Sequence, residues 1–405
     1  MNRKKSSQSK TKGSAMALIL IALVVILIMG IGTLELGLRS RLFAIRTASE
    51  IAARCAADAG LTKCLYEMNQ KLKVKPWNGG SMPVALHEQL ANSDATFSYT
   101  VTPDANNRYI VNSFGQSGPV RRKVTSTFKL EGLFEYAIFT QGIMTLRNGT
   151  TISAYNLDAG DPPLQIGTNS TQVGAITSKL GVTIDGDVIV GVGGNPNTVI
   201  NSCLEGVITG NTYSLPETHK TPPITVPEYL LNMPSSGTIT TSTTITNSAK
   251  YDAISLTGTS NAITINGAVE LYVIGSIRLG NTCQIKIVDA TTNPNASLTL
   301  YVGGNILFDN GSAINNLSMD AHKLKIYGLD TCTKIDLKNS GTFYGAIYAP
   351  NADIHLYNNS EIYGSIVGKT FVQDVGANVH YDASLRNASV NDIGVKFVVR
   401  NWHEE

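Results

Sequence analysis

Apolar and polar positions divide the chain into three textures. From Ser14 to Leu34 the sequence SAMALILIALVVILIMGIGTL carries no charge, and the first acidic residue after it is Glu35. About twenty residues at 1.5 Å of helical rise cover roughly 30 Å, the thickness of a bilayer's hydrocarbon layer. The run predicts a transmembrane helix over 14–34; it is too long for a signal-peptide core and no small-residue cleavage site closes it. From Glu35 the pattern turns amphipathic. Leu38, Leu42, Ile45, Ile51, Leu61 and Leu65 interleave with Arg39, Arg41, Arg46, Glu50, Arg54, Asp58 and Lys63. Nothing stops the helix firmly before Pro76, and Gly60 costs only about 1 kcal/mol inside it. The pattern therefore predicts one helix of roughly sixty residues and about 90 Å, whose extension over 35–75 has one adhesive face.

Residues 94–131 alternate with period two in ATFSYTVTP, RYIVNSFG and VRRKVTSTFKL, with turn residues at 103–107 and 115–119. They predict a small antiparallel meander, the centre of a headpiece over 76–135. Beyond residue 136 the texture becomes short β-branched runs separated by Gly, Asn and Asp. KIDLKNSGTFYGAIYAPNA (334–352) is followed by DIHLYNNSEIYGSIVGKTF (353–371), and a third copy begins at Val372. A shift of nineteen aligns Ile335 with Ile354, Leu337 with Leu356 and Val375, and Asn339 with Asn358. It also aligns Tyr344-Gly345 with Tyr363-Gly364, and Ile347 with Ile366. LYVIGSIRLGN (from Leu271) repeats as LYVGGNILFDN (from Leu300), with fainter copies in TLRNGTTISAYN and VTIDGDVIV. Fixed-period similarity with strand alternation predicts a right-handed parallel β-helix over 136–386. Inward residues would stack into apolar columns, Asn339 and Asn358 into a corner ladder, and Gly345 and Gly364 would sit where no Cβ fits. A β-sandwich is the alternative, and 387–405 reads as a C-terminal tail.

Composition agrees with a β-rich protein outside the cytoplasm. Only 15% of the 405 residues are charged, and Thr, Asn, Ser and 37 glycines take their place. That mixture excludes coiled coils and charged disordered chains. Net charge is +2, but Arg3, Lys4, Lys5, Lys10 and Lys12 concentrate +5 in the basic leader 1–13, which leaves 27 basic against 30 acidic residues elsewhere. The body has no general attraction for nucleic acid. The basic leader is expected to stay cytoplasmic, giving a single-pass, N-in topology in a bacterial inner membrane. Cys55, Cys64, Cys203, Cys283 and Cys332 form no C-x-x-C pair, so they read as core thiols, not as zinc or redox motifs. Nine residues of helix, about 13 Å, separate Cys55 from Cys64, too far for a disulfide.

Lys12-Gly13 followed by SAMALILIALVVILIMGIGTLELGLRSRLFAIRTASEIAARCAADAG resembles the leader and N-terminal helix of type IV pilin-like proteins, and most closely the PilX-type minor pilins. The Arg/Ala-rich run from Ala48 to Ala59 matches that group's A-x-x-A-A-like pattern. The resemblance implies cleavage by a prepilin peptidase between Gly13 and Ser14, and partners that are other pilin or pseudopilin subunits. The chain departs from the family at Leu18, where a glutamate is usual five residues after the cut, and at Ser14, where Phe is usual. These departures fit a minor, initiating or tip subunit, and Leu18 removes the glutamate that engages a neighbour's terminal amine. The second half, above all YGAIYAPNADIHL, resembles a β-helical, adhesin-like domain of unknown function that follows PilX-type N-termini in bacterial surface proteins. That resemblance implies a surface placement and supplies no catalytic residues.

β-Helices also carry carbohydrate-active enzymes, and the repeats offer one candidate cluster. Asp336, His355 and Asp374 share one outward position in three successive copies, about 4.8 Å apart if they stack. A histidine between two carboxylates holds its proton more strongly and can serve as a general acid or weak metal ligand; the same column also reads as surface charges of alternating sign. No Lys or Arg group accompanies it in the sequence. Asp185 and Asp187 offer two carboxylates, short of a calcium shell. Gly191-Val192-Gly193-Gly194 is followed by Asn195-Pro196-Asn197 and reads as a loop. Tyr272, Tyr301, Tyr327, Tyr344, Tyr348, Tyr357, Tyr363 and Tyr381 form either an aromatic binding stripe or solenoid packing with phenols at the surface. No hydrolase, zincin or P-loop motif is present. The expectation is a pilin-like, membrane-anchored, non-enzymatic surface protein without cofactor or metal, displaying its β-helix for adhesion, recognition or assembly toward a surface ligand or glycan. The alternative is a membrane-tethered polysaccharide-active lyase or hydrolase.

Overall fold

The computed structural model describes residues 14–104, 108–202, 206–338 and 342–404. The chain divides into two compact units, one of residues 1–129 with 397–405 and one of 130–396. Gly13, Cys203 and Asn339 fall outside the described residues, and with Asn339 goes the expected Asn339–Asn358 ladder.

The first unit begins with a single 58-residue helix, Ser14–Lys71, about 87 Å long. It stops short of Pro76. Its buried face matches the one the leucine spacing predicted at Leu61 but not at the earlier positions. Leu38, Leu42, Ile45 and Ile51 are exposed, whereas Ala53, Ala56, Ala57, Leu61, Cys64 and Met68 are buried. Small side chains win here because they let the helix backbone come down onto a sheet. Ser113 Oγ donates 2.7 Å to the Ala57 carbonyl. A Cβ on Gly115 would overlap the Ala53 carbonyl. The Ala-rich run thus acts as a packing face.

The sheet contains the expected meander, Thr96–Pro103, Arg108–Ser117 and Val120–Glu131, paired antiparallel. Two edge strands join it, Ala85–Gln89 and Lys396–Glu404. The first is masked in sequence by an irregular register and by His87 at φ 51°. The second lies within the stretch read as a tail. Trp77, Tyr109 and Phe397 cluster with ring centroids 5.0–6.5 Å apart.

In the second unit the strand pairings among the described residues are parallel, which is incompatible with an antiparallel sandwich. The sequence repeats pair in register. Leu271, Tyr272 and Val273 lie opposite Leu300, Tyr301 and Val302. Ile335 and Leu337 lie opposite Ile354 and Leu356. Tyr344, Gly345 and Ile347 lie opposite Tyr363, Gly364 and Ile366. A Cβ on Gly364 would overlap the Gly345 carbonyl. The third copy departs from the predicted spacing. A register irregularity between Ala349 and Asp353 shortens the shift to seventeen, so that Leu356 faces Gln373. Val375 is therefore 50% exposed instead of inward. The inward column continues from Ile354 through Phe371, Met144 and Ile176 to Ile200.

That continuation fixes an unexpected strand order. Ile138–Thr140, early in the unit, pairs on one side with Glu361–Gln373, late in it, and on the other with Gln165–Thr168. Later strands extend both ways: Asp187–Val190 and Thr212–Ser214 follow on one side. On the other lie Thr342–Leu356, Leu324–Gly328, Ser297–Val302, Ala268–Val273 and Ala249–Tyr251. Residues 215–237 carry the chain from one end of this row to the other. Along the way they cover an outward column, Tyr301, Tyr327, Tyr348, Val367, Phe139 and Ile189, using Leu215, Ile224, Val226 and Leu230. This second core buries Tyr301, Tyr327 and Tyr348, whose phenols were expected at the surface. Cys64, Cys283 and Cys332 are buried and Cys55 is exposed, all four as free thiols.

Candidate functional site

Asp336 closes one strand's outward row and faces His355 directly on the next. Asp374 is not in register with His355, which lies opposite Val372 after the two-residue slip. It reaches back diagonally, so that His355 Nε2 lies 3.0 Å from Asp374 Oδ2. The three predicted residues are therefore brought together, by a route the nineteen-residue shift does not give. At this distance His355 Nε2 still makes no aligned hydrogen bond. The imidazole stacks on Tyr357 with centroids 3.9 Å apart. Burial, followed by the Asp336 charge, pushes the Tyr357 phenol above its ordinary pKa.

Two cations missed in the sequence complete the group. Lys334 Nζ lies 2.7 Å from Asp336 Oδ2, and Arg147 Nη1 lies 3.2 Å from Asp374 Oδ1. The hydrogen bond to Asp336 raises the Lys334 pKa. Lys334 was legible, because residues two apart share a strand face. Arg147 was not: it stands 227 positions before Asp374, and only the unexpected strand order joins them. Lys334 and Arg147 thus flank the Asp336, His355 and Asp374 group, one cation to each carboxylate. Among the described residues no three His, Cys, Asp or Glu side chains converge to hold a metal.

The other predicted features resolve into structure. Asp185 Oδ1 accepts from Thr209 Oγ1 at 2.9 Å and Asp187 Oδ1 from the Asn211 N–H at 2.8 Å, so both tie down the neighbouring strand's turn. The glycine run 191–194 leads into a one-turn helix, Pro196–Val199, which the sequence reading had placed in a loop. Tyr344, Tyr363 and His380 occupy successive strands in register. Their rings stack at 4.7 and 4.4 Å, with His380 Nε2 2.7 Å from Glu361 Oε2. Stacked this way they cover one another's faces and present edges outward.

The helix carries a long exposed surface. Every described side chain from Ala15 to Ala48 is exposed, and this stretch contains the one helix window among the described residues long and apolar enough to cross a membrane.

A family model for a domain of unknown function, DUF7305, matches residues 211–388. No curated protein matches the chain. Among solved structures, the competence-associated pilin ComZ of Thermus thermophilus aligns with 88% of this chain and 97% of its own, at 12% identity and TM-score 0.24. An ice-binding protein from an Antarctic Flavobacteriaceae bacterium aligns with 61% of this chain and 66% of its own, at 10% identity and TM-score 0.25. A glycosylated ice-binding protein from an Arctic yeast, LeIBP, aligns with 61% and 90%, at 13% identity and TM-score 0.29. TM-scores this low transfer nothing to the present chain.

Proposed function

We propose that this chain is a pilin-like, single-pass membrane-anchored surface protein, a minor subunit of a type IV pilus or related pseudopilus. On this reading residues 136–386 form a right-handed parallel β-helix displayed for adhesion, recognition or assembly. The carrying observation is the bare helix surface from Ala15 to Ala48, apolar as far as Leu34 and continuous with a helix that packs on its own sheet from Ala53 onward. Such a surface needs a lipid host before assembly and sister helices after it. The sequence resemblance to PilX-type leaders names those sisters as other pilin subunits. Leu18, in place of the pairing glutamate, suits a subunit that joins few neighbours. The basic leader keeps the N-terminus cytoplasmic, within reach of a prepilin peptidase.

The reading is non-enzymatic. Lys334 and Arg147 hold the carboxylates beside His355, so the group works as a charge ladder along the strands instead of an acid–base pair on a glycan. Column packing in register supports the solenoid reading, because no repeat could bury Ile335, Ile354 or Phe371 by itself. The test is the mass of the native protein's N-terminal peptide. A start at Ser14 is expected, and a leader left intact on protein recovered from cells contradicts assembly through this helix.

A further inference from the structure

We propose that residues 215–237 are an acid-sensitive latch, held across the seam between the early and late strands of the unit by His219. The seam is where Phe139 faces Val367, two residues whose strands are far apart in sequence and adjacent in space. The His219 ring lies directly on it, 4.5 Å from the Phe139 ring and 5.0 Å from that of Tyr136. Asn169 holds the same residue by its backbone: its Oδ1 accepts the His219 N–H at 3.1 Å and its Nδ2 donates to the His219 carbonyl at 2.8 Å. Gln141 donates to Thr221. These ties belong to the early strands.

The late strands hold the other half. Tyr348 OH donates 2.7 Å to the Pro222 carbonyl, and Lys250 Nζ donates 2.7 Å to the Leu231 carbonyl. The segment therefore bridges two halves that the chain does not otherwise join in order. Its grip on the early half is an uncharged imidazole packed against the paired rings of Tyr136 and Phe139, an environment that disfavours a cation. Burial lowers the His219 pKa to about 4, with Glu131 pulling it up and Lys396 pushing it down. Protonation from solvent charges the ring, weakens this grip and uncovers Phe139 and Val367.

The sign follows from linkage. A histidine held neutral contributes fully above its unfolded pKa near 6.5 and loses that contribution as pH falls toward 4. The opening constant should rise about tenfold from pH 7.5 to pH 5.5. Amide hydrogen exchange of residues 215–223 in the full chain in detergent, corrected for intrinsic rates, reads this directly. The rise should vanish in His219→Phe, which keeps a ring on the seam without a titratable nitrogen. Asn169→Ala should speed exchange of the same amides at pH 7.5 itself. An undiminished rise in His219→Phe overturns the proposal. So does wild-type exchange that does not change with pH, or a His219 ring that titrates near 6.5 by NMR.

Discussion

Gly115 lies so close beneath the Ala53 carbonyl that the helix and the sheet meet backbone to backbone. Ala57, one turn further, accepts the Ser113 hydroxyl from the same strand. The long helix is therefore fixed to its sheet by absence of side chain, and its bulkier residues stay available to other hosts. Gly115→Val forces a branched side chain into that contact. We expect a loss of about 2–3 kcal/mol in unfolding free energy by denaturant titration of the first unit's transition, at the upper end of overpacking effects. A loss below about 0.5 kcal/mol would contradict the close approach.

The slipped register separates two apolar residues that the repeat alone treats alike. Ile354 is 1% exposed and Val375 is 50% exposed. Ile354→Ala should destabilise the second unit by about 2–5 kcal/mol, and Val375→Thr should stay within about 0.5 kcal/mol. Equal effects would restore the unbroken nineteen-residue stacking.

Asp336 is nine-tenths buried and depends on Lys334 for its counter-charge. Lys334→Ala should cost about 1–2 kcal/mol, the penalty of a buried carboxylate left without a partner. Adding Asp336→Asn to that variant should recover at least half of the loss in urea unfolding, because the stranded charge is removed with it. A double variant no better than the single one would show that the pair does not interact.

Asp392 supplies a pH signature at acid values. Burial pushes its carboxyl up, but Lys325 Nζ at 2.8 Å and the Ser389 N–H outweigh it and hold the pKa below the ordinary value. A depressed carboxyl contributes stability above its unfolded pKa near 3.9 and loses it as pH falls through the folded value. Asp392→Asn should therefore be less stable than wild type at pH 6 and converge with it as pH falls through the lowered folded value. A constant gap across that range would contradict the ion pair.

What the sequence made legible was what depends on neighbours along the chain. The uninterrupted run from Ser14 and the lack of a breaker before Pro76 gave the single helix, and period-two alternation gave the meander. The nineteen-residue shift gave the pairings of Ile335 with Ile354 and of Asp336 with His355. What depends on contacts between distant segments was hidden. KFVVRNWHE has no partner nearby in sequence, yet it completes the sheet. Arg147 reaches Asp374 because Met144–Leu146 pairs with Glu361–Gln373. The tyrosine column looked like surface because alternation marks a face as outward without saying whether another segment covers it.

The central claim is that the bare helix surface from Ala15 to Ala48 carries the protein into a filament. Its most direct measurement is the amount of the chain in sheared, purified surface fibres, compared with a version in which Ser14–Leu34 is replaced by a cleavable signal peptide. The native chain is expected to co-purify with the fibres at substoichiometric levels, and the replaced version, folded and exported, is expected not to. Equal recovery of both, or native protein found solely in the inner membrane while fibres are abundant, would contradict it.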